Sequence, residues 1–100
     1  MLTLYKLDLT GPSGVVKITA IEAAVLSAFT ASPDARIDFQ KLAEYMGMPD
    51  VLADNYKANI QVRMFRLRKK LVQVGAEGAV IEPIRNFGYE FFADLEIRKS

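Results

Sequence analysis

Cysteine and histidine are both absent from this sequence of 100 residues. Without cysteine there is no disulfide framework and no thiolate metal site, and redox chemistry points to no compartment. Without histidine as well, the usual zinc constellations, Ser-His-Asp and Cys-His catalysis and the commonest general base are excluded. An enzyme would have to work with carboxylates or lysines. Asp34, Asp38, Asp50 and Asp54 fall at helix starts and in loops, where bonding to the local backbone already accounts for them. Long apolar runs are lacking too: none approaches the ~18 residues of a membrane span, and no basic-then-apolar leader opens the chain. The expectation is a cytoplasmic protein with no catalytic residue, metal site or cofactor and no membrane in this chain.

Excess charge of one sign is also missing. Thirteen Lys and Arg stand against twelve Asp and Glu, a net charge of +1. With 51% hydrophobic residues and no internal repeat, low-complexity tract or linker, residues 1–100 read as one domain. A chain of this size can bury roughly 60 to 65% of its unfolded surface.

What positive charge there is lies concentrated. The stretch Asn55 to Gly75 carries Lys57, Arg63, Arg66, Arg68, Lys69 and Lys70 and no Asp or Glu. At about 100° per residue, Ile60, Met64, Leu67 and Leu71 fall on one narrow helical face that wants a core. Opposite lie Ala58, Val62, Phe65, Arg66 and Lys69, with Gln61 and Arg68 on one shoulder and Asn59, Arg63 and Lys70 on the other. Cations, amides and small apolar groups are what pair with phosphates, base edges and thymine methyls in a major groove. An isolated amphipathic helix with a solvated basic face would show the same pattern, so its neighbours decide.

From the start of the chain, Leu2, Leu4, Leu7 and Leu9 mix with Thr, Lys and Asp. Gly11-Pro12-Ser13-Gly14 then forms a turn before Val15, Val16 and Ile18, which predicts short β-strands. About 18 residues can supply two or three. Thr19-Ala20-Ile21-Glu22 has capping-box spacing, so a helix starts there and Glu22 reads as a cap rather than a catalytic acid. Ser32-Pro33-Asp34 ends that helix. After an extended link at Ala35 to Ile37, Asp38 caps a second helix, FQKLAEYM, with Phe39, Leu42 and one of Tyr45 or Met46 inward. Gly47 stops it by supplying left-handed dihedrals. Met48 to Asp54 reads as a loop, and the basic helix, placed at 55–74, follows. Two short helices leading into a longer basic one is the order of a helix-turn-helix unit.

The tail is extended again. Residues 79–85 and 89–93 flank Asn86-Phe87-Gly88, where Asn and Gly are expected to supply positive φ in a tight hairpin. Pro83 cannot donate to a ladder and belongs on an edge or at a bulge. A hairpin directly after a recognition helix is a wing, and Arg85 at its mouth could reach a neighbouring minor groove.

Ile18-Thr19-Ala20-Ile21-Glu22 with Val25-Leu26, Leu42-Ala43-Glu44, Ile60-Gln61-Val62, Arg66-Leu67-Arg68-Lys69-Lys70-Leu71 and Ile84-Arg85-Asn86-Phe87-Gly88-Tyr89 together resemble the OmpR/PhoB-type winged-helix domain, the output domain of many bacterial response regulators. The resemblance covers about Leu2 to Phe92. It implies an α+β fold: an N-terminal antiparallel sheet, a three-helix core and a C-terminal hairpin wing. It further implies a sequence-specific transcriptional regulator on double-stranded promoter DNA, often in tandem copies on direct repeats, with loop 48–54 available to RNA polymerase. By position it assigns base reading to Gln61 and Val62, DNA contact to Arg66 and Arg68, and the wing arginine and tyrosine to Arg85 and Tyr89. With Lys57, Asn59, Phe65 and Lys69 from the exposed face, these form the expected DNA-binding set.

The sequence departs from the pattern in several places. Phe65 and Ala58 stand where basic residues are frequent, Met46 where Trp is common, and the N-terminal β region is short for the usual four strands. No receiver domain precedes the module, which is compatible with an excised output domain, a stand-alone regulator or the cytoplasmic head of a membrane-anchored activator. Val62 and Phe65, one turn apart on the exposed side, form an apolar pair. They keep open a second reading, a winged-helix protein-interaction module that has lost DNA binding.

Overall fold

The computed structural model describes residues 1–47, 56–78 and 80–98. Three strands, β1 (Leu2–Tyr5), β2 (Asp8–Gly11) and β3 (Gly14–Lys17), precede α1 (Ala20–Ala31). Then come β4 (Arg36–Asp38), α2 (Phe39–Tyr45), α3 (Tyr56–Gln73) and the strands β5 (Ile81–Ile84), β6 (Gly88–Phe91) and β7 (Leu95–Arg98). Loop 48–54, the expected polymerase contact, and Asn55 lie outside the described residues.

The strands form two sheets, ordered β3-β2-β1-β7 and β4-β6-β5. The first is the N-terminal sheet, with a fourth strand that sequence reasoning missed. β7 pairs in parallel with β1, Leu2 opposite Leu95 and Leu4 opposite Ile97, and the Leu2 amide donates to the Asp94 carbonyl at 3.1 Å. The second sheet is the wing, and it too is larger than expected. The link before α2 is the strand β4, paired with β6, so the hairpin becomes the outer part of a three-stranded sheet. Pro83 sits on its edge strand β5.

Local chemistry sets the helix ends. Thr19 Oγ1 accepts from the Glu22 amide at 3.1 Å and the Thr19 amide donates to Glu22 Oε1 at 2.8 Å, a complete capping box. Asp38 Oδ1 accepts from the Lys41 amide at 2.8 Å to start α2, and Gly47 follows its end at φ +68°. Of the two candidates at the close of α2, Met46 is buried and Tyr45 is exposed.

Ile60, Met64, Leu67 and Leu71, the four-residue stripe of α3, are all buried. They meet Val25, Leu26 and Phe29 of α1, Leu42 of α2, Leu9 of the N-terminal sheet and Ile81 and Phe91 of the wing in one core. Phe29 stacks on Phe91 with ring centroids 5.5 Å apart, which ties α1 to the wing.

One turn residue works differently from expectation. Asn86 adopts positive φ (60°), but Gly88 does not. Gly88 lies under β4, where a Cβ would come within 2.0 Å of the Ile37 carbonyl oxygen and 2.7 Å of Asp38 Cα. It is glycine because two backbones touch there, not because of its dihedral.

Candidate nucleic-acid interface

With its apolar stripe buried, α3 turns the opposite face outward along its whole length. Lys57, Ala58, Asn59, Gln61, Val62, Arg63, Phe65, Arg66 and Lys69 are all exposed. Six cations and no carboxylate lie between Tyr56 and Gln73, so the field along this face is positive although the chain is nearly neutral.

The wing side of α3 borders an open groove of about 650 Å³. Lys57, Ala58, Gln61, Val62, Phe65 and Arg68 form one wall, Phe39, Pro83 and Tyr89 the other, with no acidic residue among them. Phe39 and Tyr89 meet edge to face at 6.1 Å, making that wall aromatic. Lys57 Nζ sits 4.9 Å from the Phe39 ring centroid and Lys69 Nζ 5.2 Å from that of Phe65, so each cation rests beside an aromatic face. Burial pushes the Tyr89 phenol above its ordinary pKa, against the opposing pull of the Arg68 charge, so the hydroxyl is neutral at physiological pH.

Arg68 has a structural task that sequence reasoning missed. It is half-buried, and its Nε donates to the Ile81 carbonyl at 3.0 Å, bracing β5 against α3. Arg68 still lines the groove. Lys70, on the other shoulder, is held by Glu22 at 2.6 Å. Arg63 and Arg66 border a separate cleft of about 160 Å³ against the start of α1. Arg85 is exposed at the mouth of the hairpin, outside the groove, in a turn closed by the Phe87 amide donating to Ile84 at 3.0 Å. The Phe87 carbonyl accepts from the Phe39 amide at 2.9 Å, fixing the hairpin to the start of α2.

Of the expected set, Lys57, Gln61, Val62, Phe65, Arg68 and Tyr89 thus converge on one groove, with Lys69 over Phe65. Asn59 and Arg66 lie on the shoulder toward α1, and Arg85 stands apart on the wing. Phe39 and Pro83 are groove walls that the sequence did not disclose, since each reads locally as a core or edge residue. Among the described residues no helix is long and apolar enough to cross a membrane, and no cluster of His, Cys, Asp or Glu could hold a metal ion.

Comparison with curated proteins gives no match. Among solved structures, the C-terminal domain of the nisin resistance regulator NsrR, a lantibiotic response regulator, is similar at 28% identity and a TM-score of 0.65. The likeness covers 90% of this chain and 89% of that one. The family model described as "Transcriptional regulatory protein, C terminal" matches residues 13–91, from the β2–β3 turn to the last residue of β6. The strands β1, β2 and β7 lie outside that match. The chain belongs to this family of OmpR/PhoB-type winged-helix domains, the DNA-binding output domains of transcriptional regulators.

Proposed function

We propose that residues 1–100 act as one sequence-specific binding domain for double-stranded promoter DNA, with α3 in the major groove and the wing beside the adjoining minor groove. The observation that carries this reading is the exposed face of α3, cationic on both shoulders and free of carboxylates, set beside a wing that projects Arg85. Lys57, Arg66 and Lys69 hold phosphates, joined by the guanidinium of Arg68 that also braces the wing. Gln61, Asn59 and Val62 meet base edges, and Phe65 packs among them. Arg85 enters the minor groove, and Tyr89 supports the wing-side wall beside α3. Tandem copies on direct repeats, contact with RNA polymerase through loop 48–54 and a place in the cytoplasm complete the proposal.

The test is fluorescence anisotropy against a duplex enriched from a random pool and a scrambled control, from ~50 to 200 mM salt. Specific readout appears as a steep salt slope with at least ~10³ preference for the enriched duplex. Arg66→Ala should weaken binding to both duplexes and flatten the slope by about 0.9. Weak, sequence-indifferent binding would instead favour the second reading, a protein-interaction module. Its support is the exposure of Val62 (49%) and Phe65 (53%) on the most basic helix.

A further inference from the structure

Across its width, the exposed face of α3 has an apolar centre between two cationic shoulders. Ala58, Val62 and Phe65 run along the crest, all exposed. Lys57 and Arg68 flank them on the wing side, Arg63 and Arg66 on the side of α1. A partner matching this profile carries small apolar groups along its middle and anions along both edges. The B-DNA major groove has that cross-section where thymines occur, with C5-methyl groups on its floor and phosphates along both walls about 12 Å apart.

The spacing narrows the match. Val62 and Phe65 are three residues apart, about 4.5 Å along the helix axis. Base pairs rise about 3.4 Å along the DNA, a comparable step, so a helix lying along the groove can set the two side chains on neighbouring pairs. Lys69 Nζ, 5.2 Å from the Phe65 ring, leaves the ring flanked by a cation on the crest itself. Such a rim disfavours a neutral or basic apolar partner and suits a polyanion. Gln61, one residue before Val62, has the amide that pairs with adenine N6 and N7.

We infer that Val62 and Phe65 are specificity-determining residues that read the methyl groups of thymines in two adjacent A·T pairs. The inference rests on the DNA-binding reading above, and its test separates the two. In the enriched duplex, each thymine is replaced singly by deoxyuridine, which removes the methyl and keeps the base pair. Binding is then measured by anisotropy for the unaltered protein, Val62→Ala and Phe65→Ala. Both side chains are about half exposed, so thermal melts of the variants should match the parent.

The expected result is a loss of about fourfold at each of two neighbouring positions, the size expected for uncovering one buried methyl group. Val62→Ala should erase the loss at one position and Phe65→Ala at the other. Tight, selective binding with no deoxyuridine effect, or with an effect that both variants retain, overturns the methyl assignment and leaves DNA recognition standing. An enriched site without adjacent A·T pairs also overturns it. If no duplex is enriched at all, the DNA-binding reading fails and the methyl assignment falls with it.

Discussion

Glu22 is the side chain through which the first helix and the basic helix are joined, and its removal should be costly in a graded way. One carboxylate oxygen, Oε1, accepts from the Thr19 amide at 2.8 Å and from Lys70 Nζ at 2.6 Å. The Glu22 side chain is 11% exposed and that of Lys70 28%, so water competes weakly for either bond. Glu22→Gln keeps an oxygen in place for both donors and loses only the charge. A hydrogen bond to a charged group contributes about 1.5–3 kcal/mol and a neutral one about 0.5–1.5, so this change should cost about 1 kcal/mol. Glu22→Ala removes both bonds. It uncovers an amide of the first turn and leaves a half-buried ammonium without its carboxylate, a total of about 2–3 kcal/mol. For a domain of this size these losses lower Tm by roughly 4–8 °C and 10–20 °C. Thermal and urea unfolding followed by circular dichroism at pH 7 measure both, and the alanine loss should persist in 1 M salt because the pair is shielded from screening. If the glutamine variant is as unstable as the alanine one, the hydrogen bonds contribute nothing beyond charge. An alanine loss under about 0.5 kcal/mol would refute the joint altogether.

Gly88→Ala should lower stability by about 3 kcal/mol, because the added methyl meets the Ile37 and Asp38 backbone of β4 rather than a side chain that can turn away. Urea midpoints measure the loss, and a neutral result would mean that β4 is not held against β6. Tyr89 supplies a pH test. A phenol whose folded pKa is raised adds stability that is complete below its unfolded value near pH 10 and disappears as pH rises through the folded value. Urea midpoints between pH 8 and 11 should therefore fall more steeply for the parent than for Tyr89→Phe; parallel curves would remove burial as the cause.

The parts legible in the sequence were those governed by local rules. The stripe Ile60, Met64, Leu67 and Leu71 names the buried face of α3 because helical period alone decides it, and Thr19, Asp38 and Gly47 mark helix ends through bonds or dihedrals within a few residues. The exposed groove-facing side chains follow from the same wheel. Pairings between distant segments were not legible. Leu95-Glu96-Ile97-Arg98 does alternate apolar and polar residues after Asp94, but four residues are a short signal, and nothing local says that β7 pairs with β1 at the other end of the chain. Arg68 reads as one more cation until the Ile81 carbonyl comes to lie beside it, and Gly88 reads as a turn residue until β4 lies across it. The first turn of the chain hides for a different reason: Lys6, not a glycine or asparagine, takes the positive φ (54°) there.

The pairing of β1 with β7 also bears on the order in which the molecule assembles. Parallel neighbours need a crossover of a dozen or more residues between them, and here that crossover is everything from β2 to β6. The β1–β2 and β2–β3 hairpins can close while the chain is still being made, but the outer row of β1 amides and carbonyls stays open until residues 95–98 have left the ribosome. During that interval the growing chain carries an unpaired strand edge, the feature through which nascent proteins adhere to one another. Among the described strands, the last to be synthesised is the one that covers it.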